Sequence, residues 1–133
     1  MSFKNQTIVI TGAAGNLGSA VAKTFYEANA RVVLVDAKGE FLDRRFPDSD
    51  NRYVKVPVNL LQRDMVLSAF AKIQDEHDGI DALCAIAGGF HMGEAVHDTA
   101  TDIWKLMNDL NVQTLLNSTA AVVPHMIERG GGK

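Results

Sequence analysis

Four short apolar runs, separated by longer polar or mixed stretches, dominate the hydrophobic pattern of the chain. They cover residues 4–11, 31–35, 53–58 and 81–87, and β-branched side chains are common in them, as in the sequence RVVLV at 31–35. Apolar runs of this length without strict polar alternation are typical of buried parallel strands. The pattern therefore predicts four strands that are covered on both faces.

The stretches between these runs show helical periodicity. Residues 17–28 and 62–77 carry apolar side chains at three- and four-residue spacing, which predicts an amphipathic helix in each. The polar stretch 38–52 predicts a short helix followed by a loop. Residues 101–128 keep the helical spacing over a length above the usual range for globular helices, so we expect a bend near residues 109–111.

Strands that alternate with helices at this spacing predict an α/β fold. The sheet is expected to be parallel and doubly wound, with right-handed crossovers and helices on both faces. We assign residues 1–133 to one Rossmann-like domain. The closing sequence Gly130-Gly131-Gly132-Lys133 is typical of a helix end that leads into another strand. We therefore expect an incomplete domain, truncated after the fourth strand and the long helix that follows it.

A glycine-rich segment, TGAAGNLG, joins the first predicted strand to the first helix. Its glycines, Gly12, Gly15 and Gly18, permit a tight turn and let the backbone approach a diphosphate closely. The N-terminus of the helix adds unpaired N–H groups and a partial positive charge. The alternative is a tight connection with a purely structural role. We predict a dinucleotide site formed by Gly12, Ala14, Gly15, Asn16, Leu17 and Gly18.

An acidic residue at the end of the second strand supports this interpretation. Asp36 follows the glycine segment by about 20 residues, where a carboxylate accepts hydrogen bonds from the ribose hydroxyls. A carboxylate there repels a 2′-phosphate, so we expect NAD to be preferred, with NADP the less favoured cofactor. Lys38 is the nearby cation that could offset this preference. The alternative for Asp36 is a surface turn residue.

Composition and charge restrict the classes of partner. Hydrophobic residues make up 47% of the chain and charged residues 22%, as in globular rather than disordered proteins. A net charge of -3 gives no general attraction to nucleic acid or to anionic membranes. We find no leader segment and no apolar run of about 18 residues, so a cytoplasmic location is expected. No metal site is expected either, because metal-ligand spacing is absent around Cys84, His77, His91, His97 and His125.

With the glycine segment, Asp36 and the Ala87-Gly88 pair in this order, the chain resembles the short-chain dehydrogenase/reductase family over nearly its whole length. The resemblance implies an NAD(P)-dependent oxidoreductase that acts on an alcohol or carbonyl group of a small molecule. It also implies a homo-oligomer, a dimer or a tetramer, because the family uses its long helix in a subunit interface. By resemblance the remaining cofactor-binding residues are Asn59, Leu60, Ala87, Gly88 and Gly89.

The resemblance implies one residue of the catalytic machinery, Asn111. It matches the family's asparagine at the bend of the long helix, which kinks that helix and holds a water linked to the catalytic lysine. In the loop 89–98, Phe90 and Met92 are candidates for the wall of the substrate pocket.

Three departures from the family pattern limit what the chain alone is expected to do. Asn16 stands where typical members have their middle glycine, a spacing closer to the extended branch or to the dihydropteridine-reductase-like members. The usual Asn-Asn-Ala-Gly reads Ala-Ile-Ala-Gly at 85–88. The family's Tyr-x-x-x-Lys is absent, since Ala30 follows Tyr26 at that spacing and Pro57 follows Tyr53.

We therefore expect the chain to hold the cofactor but to show no turnover alone. Two alternatives stay open: a non-catalytic nucleotide-binding or redox-sensing module, and a fragment of an extended-branch epimerase. In the family's strand order, 3-2-1-4-5-6-7, the absence of a fifth strand leaves the fourth at an edge. We therefore expect the chain to self-associate through unpaired groups at 83–87 or to be marginally stable.

Overall fold

A computed structural model describes residues 2–47 and 50–133, so the predicted loop in 38–52 lies partly outside the described residues. The elements follow in the order β1 (Thr7–Thr11), α1 (Asn16–Glu27), β2 (Arg31–Asp36), α2 (Gly39–Arg45), β3 (Tyr53–Pro57), α3 (Arg63–Glu76), β4 (Ala82–Ala85), a 3-10 turn (Val96–Asp98), α4 (Thr101–Asn108), a π-helical turn (Asp109–Gln113) and α5 (Thr114–Glu128).

The four strands form one parallel sheet in the order β3-β2-β1-β4. Both the fold class and the predicted strand order are therefore confirmed. At the centre of the sheet, Val9 of β1 lies between Val33 of β2 and Leu83 of β4. This parallel alignment brings the carboxyl ends of all four strands to one edge, where open α/β sheets bind ligands.

Two hydrophobic layers cover the sheet, and the side chains of β1 alternate between them. Ile8 and Ile10 pack in the layer that contains Ala22 of α1 and Leu42 of α2. Val9 packs in the opposite layer, with Phe70 of α3 and Val122 of α5 as well as side chains from the other strands. All residues of β1 are buried, as expected for a strand with helices on both faces.

The last predicted strand, 81–87, is shorter than expected. β4 ends at Ala85 because the N–H groups of Ile86 and Ala87 each donate to Oγ1 of Thr11, at 3.1 Å, instead of continuing the ladder. β4 is an edge strand of the sheet, but its outer side is not entirely without hydrogen-bond partners. The Leu83 N–H donates to the carbonyl oxygen of Lys133 at 2.8 Å. The expectation that all of 83–87 is unpaired is therefore wrong at Leu83.

The helical predictions hold, with two local exceptions. The expected bend of the long helix is the π-helical turn Asp109–Gln113. Leu17 was assigned to the buried face of the first helix but is 65% exposed. The helical spacing of residues 101–128 favours packing positions for Leu115 and Leu116, but both are exposed and belong to an apolar stripe. The exposed stripe along α4 to α5 comprises Leu106, Val112, Leu115, Leu116, Val123 and Ile127.

His77 lies in the turn that follows α3 and is half-buried. Its Nε2 atom is buried and has no hydrogen-bond partner. Burial, reinforced by the positive charge of Arg31, lowers the pKa of the His77 imidazole. Within residues 2–47 and 50–133, no helix combines the length and the apolar character that a membrane span requires.

Candidate functional site

A cleft of about 820 Å³ lies at the carboxyl edge of the sheet. It runs from the glycine segment past the ends of β2 and β4 to the middle of the long helix. Eleven of the twelve residues predicted to bind a cofactor line it, although they come from four separate parts of the chain. These are Gly12, Ala14, Gly15, Asn16, Leu17, Gly18, Asp36, Asn59, Leu60, Ala87 and Gly88.

At two positions of the glycine segment there is no room for a side chain. Gly12 has φ +68°, and a Cβ atom there would lie 2.8 Å from Cα of Ala87. At Gly18 a Cβ atom would overlap the carbonyl oxygen of Gly12. The chain therefore passes close to β4 and then starts α1 tightly against its own preceding turn.

The segment presents the N-terminus of α1 to the cleft. Gly15 caps the helix with extended backbone and without a side-chain hydrogen bond, and its N–H donates to the carbonyl oxygen of Gly12 at 3.1 Å. No acidic residue lies in the first turn of α1 and no side chain caps it, so the N–H groups of that turn remain free to donate to an anion in the cleft. This arrangement suits an anion with several oxygen acceptors, such as a diphosphate.

Asp36 is held in place by the backbone around it. Its Oδ2 atom accepts a hydrogen bond from the Ala14 N–H at 3.0 Å, and its Oδ1 atom accepts one from the Ala37 N–H at 2.8 Å. The first bond joins the end of β2 to the glycine segment. The carboxylate is therefore fixed on the wall of the cleft, beside the N-terminus of α1.

Helix α2 forms a wall of the cleft that the sequence analysis missed. Phe41, Arg44 and Arg45 line it, and Nη2 of Arg45 donates to Oδ1 of Asn16 at 2.6 Å. Lys38, the cation that we had singled out, lies 5.3 Å from the ring centroid of Phe41 and does not line the cleft. The available signal was the adjacent Arg44-Arg45 pair, on the first helix after the predicted ribose-binding acid.

Hydrogen bonds from side chains arrange the opposite end of the cleft. Asn111, in the π-helical turn, accepts from the Gly89 N–H at 3.1 Å and donates to the Gly89 carbonyl oxygen at 2.9 Å. Its Nδ2 also donates to the carbonyl oxygen of Met107 at 2.9 Å. A Cβ atom on Gly88 would lie 2.6 Å from Oδ1 of Asn111, so the loop after β4 passes directly over this side chain.

Gly89 is the one predicted cofactor-binding residue that does not line the main cleft. It lines a neighbouring cavity of about 350 Å³, together with Phe90, Trp104 and Asn111. Met92, our other candidate for a substrate wall, is 82% exposed and lines neither space.

The turn after β3 completes the floor of the cleft. Oδ1 of Asn59 accepts from the Leu61 N–H at 3.0 Å, and this bond closes the turn before α3. Asn117 of α5 is fully buried, and its amide donates to the carbonyl oxygen of Leu60 at 2.8 Å. The long helix thus holds the Asn59-Leu60 turn through a buried polar group whose hydrogen bond is made.

Neither tyrosine of the chain lines the cleft. Tyr26 and Tyr53 stack on each other with ring centroids 4.4 Å apart, and the Tyr26 hydroxyl donates to Asp50 at 2.7 Å. Burial raises the pKa of the Tyr53 hydroxyl, so it does not ionise readily. Burial also raises the pKa of the Cys84 thiol, which disfavours the reactive thiolate form.

Known proteins resemble the chain in both sequence and fold. A family model described as short chain dehydrogenase matches residues 6–133. An NAD-dependent glycerol dehydrogenase of Listeria innocua is 29% identical over 132 residues, which cover 99% of this chain and 52% of that protein. A 3-oxoacyl-(acyl-carrier-protein) reductase of Thermotoga maritima is 28% identical over 135 residues, with 99% and 54% covered.

A solved structure is similar to the chain in fold as well. The crystal structure of the apo form of LigO from Sphingobium sp. strain SYK-6 matches with a TM-score of 0.89 and 26% identity. The match covers 99% of this chain and 50% of that one. The chain therefore spans about half the length of the relatives that it matches.

Proposed function

The chain belongs to the short-chain dehydrogenase family, and on that premise we propose that it is the cofactor-binding part of an NAD(P)-dependent oxidoreductase. The substrate that we propose for the whole protein is a small molecule with an alcohol or carbonyl group. When bound, a nicotinamide ring supplies a hydride donor or acceptor. The residues of this chain bind the dinucleotide, orient it and shape the entrance to its reactive end.

The observation that carries the proposal is the bare backbone at Gly12 and Gly18. Any side chain at Gly18 would overlap the preceding turn, and the resulting cradle faces a cleft large enough for a dinucleotide. A diphosphate in this cradle accepts hydrogen bonds from the first turn of α1. A merely structural turn would not require the same edge of the sheet to carry a fixed carboxylate and a cleft.

We propose NAD as the preferred cofactor because Asp36 is fixed beside the glycine segment. Its oxygens have lone pairs left after the two backbone bonds, and these can accept hydrogen bonds from ribose hydroxyls. Calorimetric titration of the chain with NAD and with NADP tests this proposal. We expect the lower dissociation constant for NAD. Equal or reversed affinities would refute the preference, and the absence of binding by either dinucleotide would refute the proposed function itself.

Asn111 is proposed as a positioning residue at the nicotinamide end. It holds the backbone of Gly89 through two hydrogen bonds, and a Cβ atom on Gly88 would lie 2.6 Å from its Oδ1 atom. These hydrogen bonds tie the loop after β4 to the bend of the long helix. In this role Asn111 keeps the cleft open at the end where the nicotinamide would lie.

A non-catalytic nucleotide-binding module remains the second candidate, and one observation favours it. The only two tyrosines are stacked on each other and do not line the cleft, so no phenol is available there for proton transfer. We expect the chain alone to bind NAD without oxidising any alcohol. NAD-dependent turnover by the purified chain would mean that another proton-transfer group is present.

We also propose that the chain associates with copies of itself. The exposed stripe on α4 to α5 is apolar, and Ile127 within it is 73% exposed. Contiguous apolar patches of this kind promote association. Light scattering is expected to give a mass above that of one chain, 14.4 kDa. A monomer at all concentrations would contradict this proposal without affecting cofactor binding.

A further inference from the structure

We propose that the amino edge of the sheet carries a second binding site, separate from the cleft, for a small ligand with two or more phosphate groups. By the amino edge we mean the side at which the parallel strands begin, opposite to the carboxyl edge that carries the cleft. A cavity of about 500 Å³ lies there. In the described part of the chain it is lined by Lys4, Asn5, Asn29, Arg31, Asn51 and Arg52. None of these residues lines the cleft, so the proposal goes beyond the proposed function.

The turns that precede β1, β2 and β3 supply this cavity, and backbone hydrogen bonds hold them side by side. The Arg31 N–H, at the start of β2, donates to the carbonyl oxygen of Gln6 at 2.9 Å. The next residue of β2, Val32, donates its N–H to the carbonyl oxygen of Arg52 at 2.7 Å. The segments before β1 and before β3 are therefore both fixed to the start of β2, and the cavity is a built part of the sheet edge.

The charges around the cavity favour an anion. Three of its six residues are cationic, and the other three are asparagines, whose amides can donate hydrogen bonds. Within residues 2–47 and 50–133, neither Lys4 nor Arg31 has an ion-pair partner, whereas Arg52 pairs with Asp50 at 3.8 Å. The Asp50 carboxylate also accepts from the Tyr26 hydroxyl at 2.7 Å and from the Arg52 backbone N–H at 2.8 Å. Three cations thus face one carboxylate that is already engaged in hydrogen bonds.

The two arginines are held in ways that leave part of each guanidinium for a ligand. The guanidinium carbon of Arg52 lies 3.7 Å from the ring centroid of Tyr26, and its Nη1 atom donates to the Tyr26 carbonyl oxygen at 3.0 Å. Stacking on the ring fixes the plane of the guanidinium. Nη1 of Arg31 makes a long hydrogen bond of 3.5 Å to Oγ1 of Thr7. The remaining N–H groups can each donate to phosphate oxygens.

The size and lining of the cavity indicate the class of ligand. A volume of about 500 Å³ is in the range of small-molecule sites and exceeds what a single phosphate group fills. The six lining residues are all polar or charged, which disfavours an apolar ligand. Cations that come from three separate turns are neutralised together by a ligand with several charged groups. Inorganic pyrophosphate is the simplest probe of this class.

Amide chemical shifts recorded by NMR during a titration with pyrophosphate test the proposal. They resolve the two sites, since the glycine segment is also suited to a diphosphate. We expect saturable shifts at residues 4–5, 29–31 and 51–52, with a dissociation constant below about 1 mM. Inorganic phosphate should bind there at least about threefold more weakly, because it reaches fewer donors. Shifts confined to residues 12–18 would overturn this proposal while supporting the proposed function of the cleft.

Two charge variants, examined by the same titration, test the role of the cations. Arg31→Gln removes one charge and keeps a polar side chain, so pyrophosphate affinity at the amino edge should fall by about fivefold to tenfold. NAD affinity should change by less than about twofold. The matched control is Arg63→Gln, because Arg63 is an exposed arginine that lines neither space. Equal losses in the two variants would mean that pyrophosphate responds only to the general surface charge, and would overturn the proposal.

A third variant removes a neutral donor without straining the backbone. Asn29 has φ +71°, a conformation that glycine adopts freely, so Asn29→Gly deletes the amide and preserves the turn. Pyrophosphate affinity should fall by about twofold to fourfold. Thermal melts check that both Asn29→Gly and Arg31→Gln are folded. Wild-type pyrophosphate affinity in both folded variants would overturn the proposal, whatever the result for NAD.

Discussion

The two ends of the cleft are built by different means. At the glycine segment the shape is set by backbone atoms in contact, since Gly12 lies against Ala87 and Gly18 against Gly12. At the loop after β4 the shape is set by side chains, since Thr11 and Asn111 hold the backbone of residues 86–89 through hydrogen bonds. The end at the glycine segment therefore does not accommodate a side chain at Gly12 or Gly18. The end at the loop after β4 depends on polar side chains that can be removed one at a time.

This difference has an energetic consequence. Overlap with backbone cannot be relieved by a rotamer change, so a substitution at the glycine end must displace a helix or a strand. A lost side-chain hydrogen bond costs only about 1 kcal/mol, and up to about 3 kcal/mol where a buried N–H group is left without a partner. The effects of substitutions on the free energy of unfolding should therefore differ between the two ends, both in size and in kind.

The largest effect is expected for Gly18→Val. The new side chain would overlap the carbonyl of Gly12, so α1 must shift, which costs about 3 kcal/mol of folding free energy and destroys the diphosphate cradle. Calorimetry should detect no NAD binding by the folded fraction. The control is Gly131→Val, since a Cβ atom at Gly131 has no neighbour within 4 Å. Wild-type NAD affinity in Gly18→Val would show that the segment has only a structural role.

A smaller effect is expected for Thr11→Val, which replaces the hydroxyl by a methyl group of similar size. Thr11 is 1% exposed, and in the variant the Ala87 N–H loses its acceptor, whereas the Ile86 N–H keeps only the carbonyl oxygen of Cys84, at 3.0 Å. The free energy of unfolding should fall by about 1–3 kcal/mol, measured by denaturant titration. Thr24→Val is the control, since its hydroxyl bonds to Ala20 on the exposed face of α1. An equal, small loss in both variants would mean that Thr11 does not hold the loop.

The smallest effect on stability is expected for Asn111→Ala. The residue is exposed, so water replaces its three hydrogen bonds, and the loss should be about 0.5–1.5 kcal/mol. The more specific readout is hydrogen exchange, which should become faster at the Gly89 amide. Asn108→Ala, one turn earlier and also exposed, should leave that amide unchanged. Unaltered protection of Gly89 in Asn111→Ala would refute the positioning role.

The elements that the sequence predicted best are those whose environment is uniform along the chain. β1 and β2 are covered on both faces, so continuous apolar runs were sufficient to locate them, and the strand order followed from the family resemblance. The glycine segment was also predictable, because few residue types other than glycine tolerate such backbone proximity. The bend at Asp109–Gln113 was indicated by the excessive length of the helix.

The features that the sequence did not predict depend on contacts between distant residues. Nothing local at Ile86 shows that Thr11 ends the strand there, and nothing local at Leu83 shows that Lys133 pairs with it. The arginines of α2 were missed for the same reason. Their spacing from Asp36 gives no sign that Arg45 reaches Asn16, which depends on how α2 packs beside the sheet.

The central claim is that the bare backbone at residues 12–18 binds the diphosphate of a nicotinamide dinucleotide. Amide chemical shifts recorded by NMR during a titration with NAD test it most directly, since they report each backbone N–H separately. We predict saturable shifts that are largest at residues 12–18 and extend to Asp36 and residues 87–88. The N–H groups around Tyr53, which begins β3 at the opposite edge of the sheet, should not move. Saturable shifts confined to residues outside the cleft, or none at about millimolar NAD, would contradict the claim.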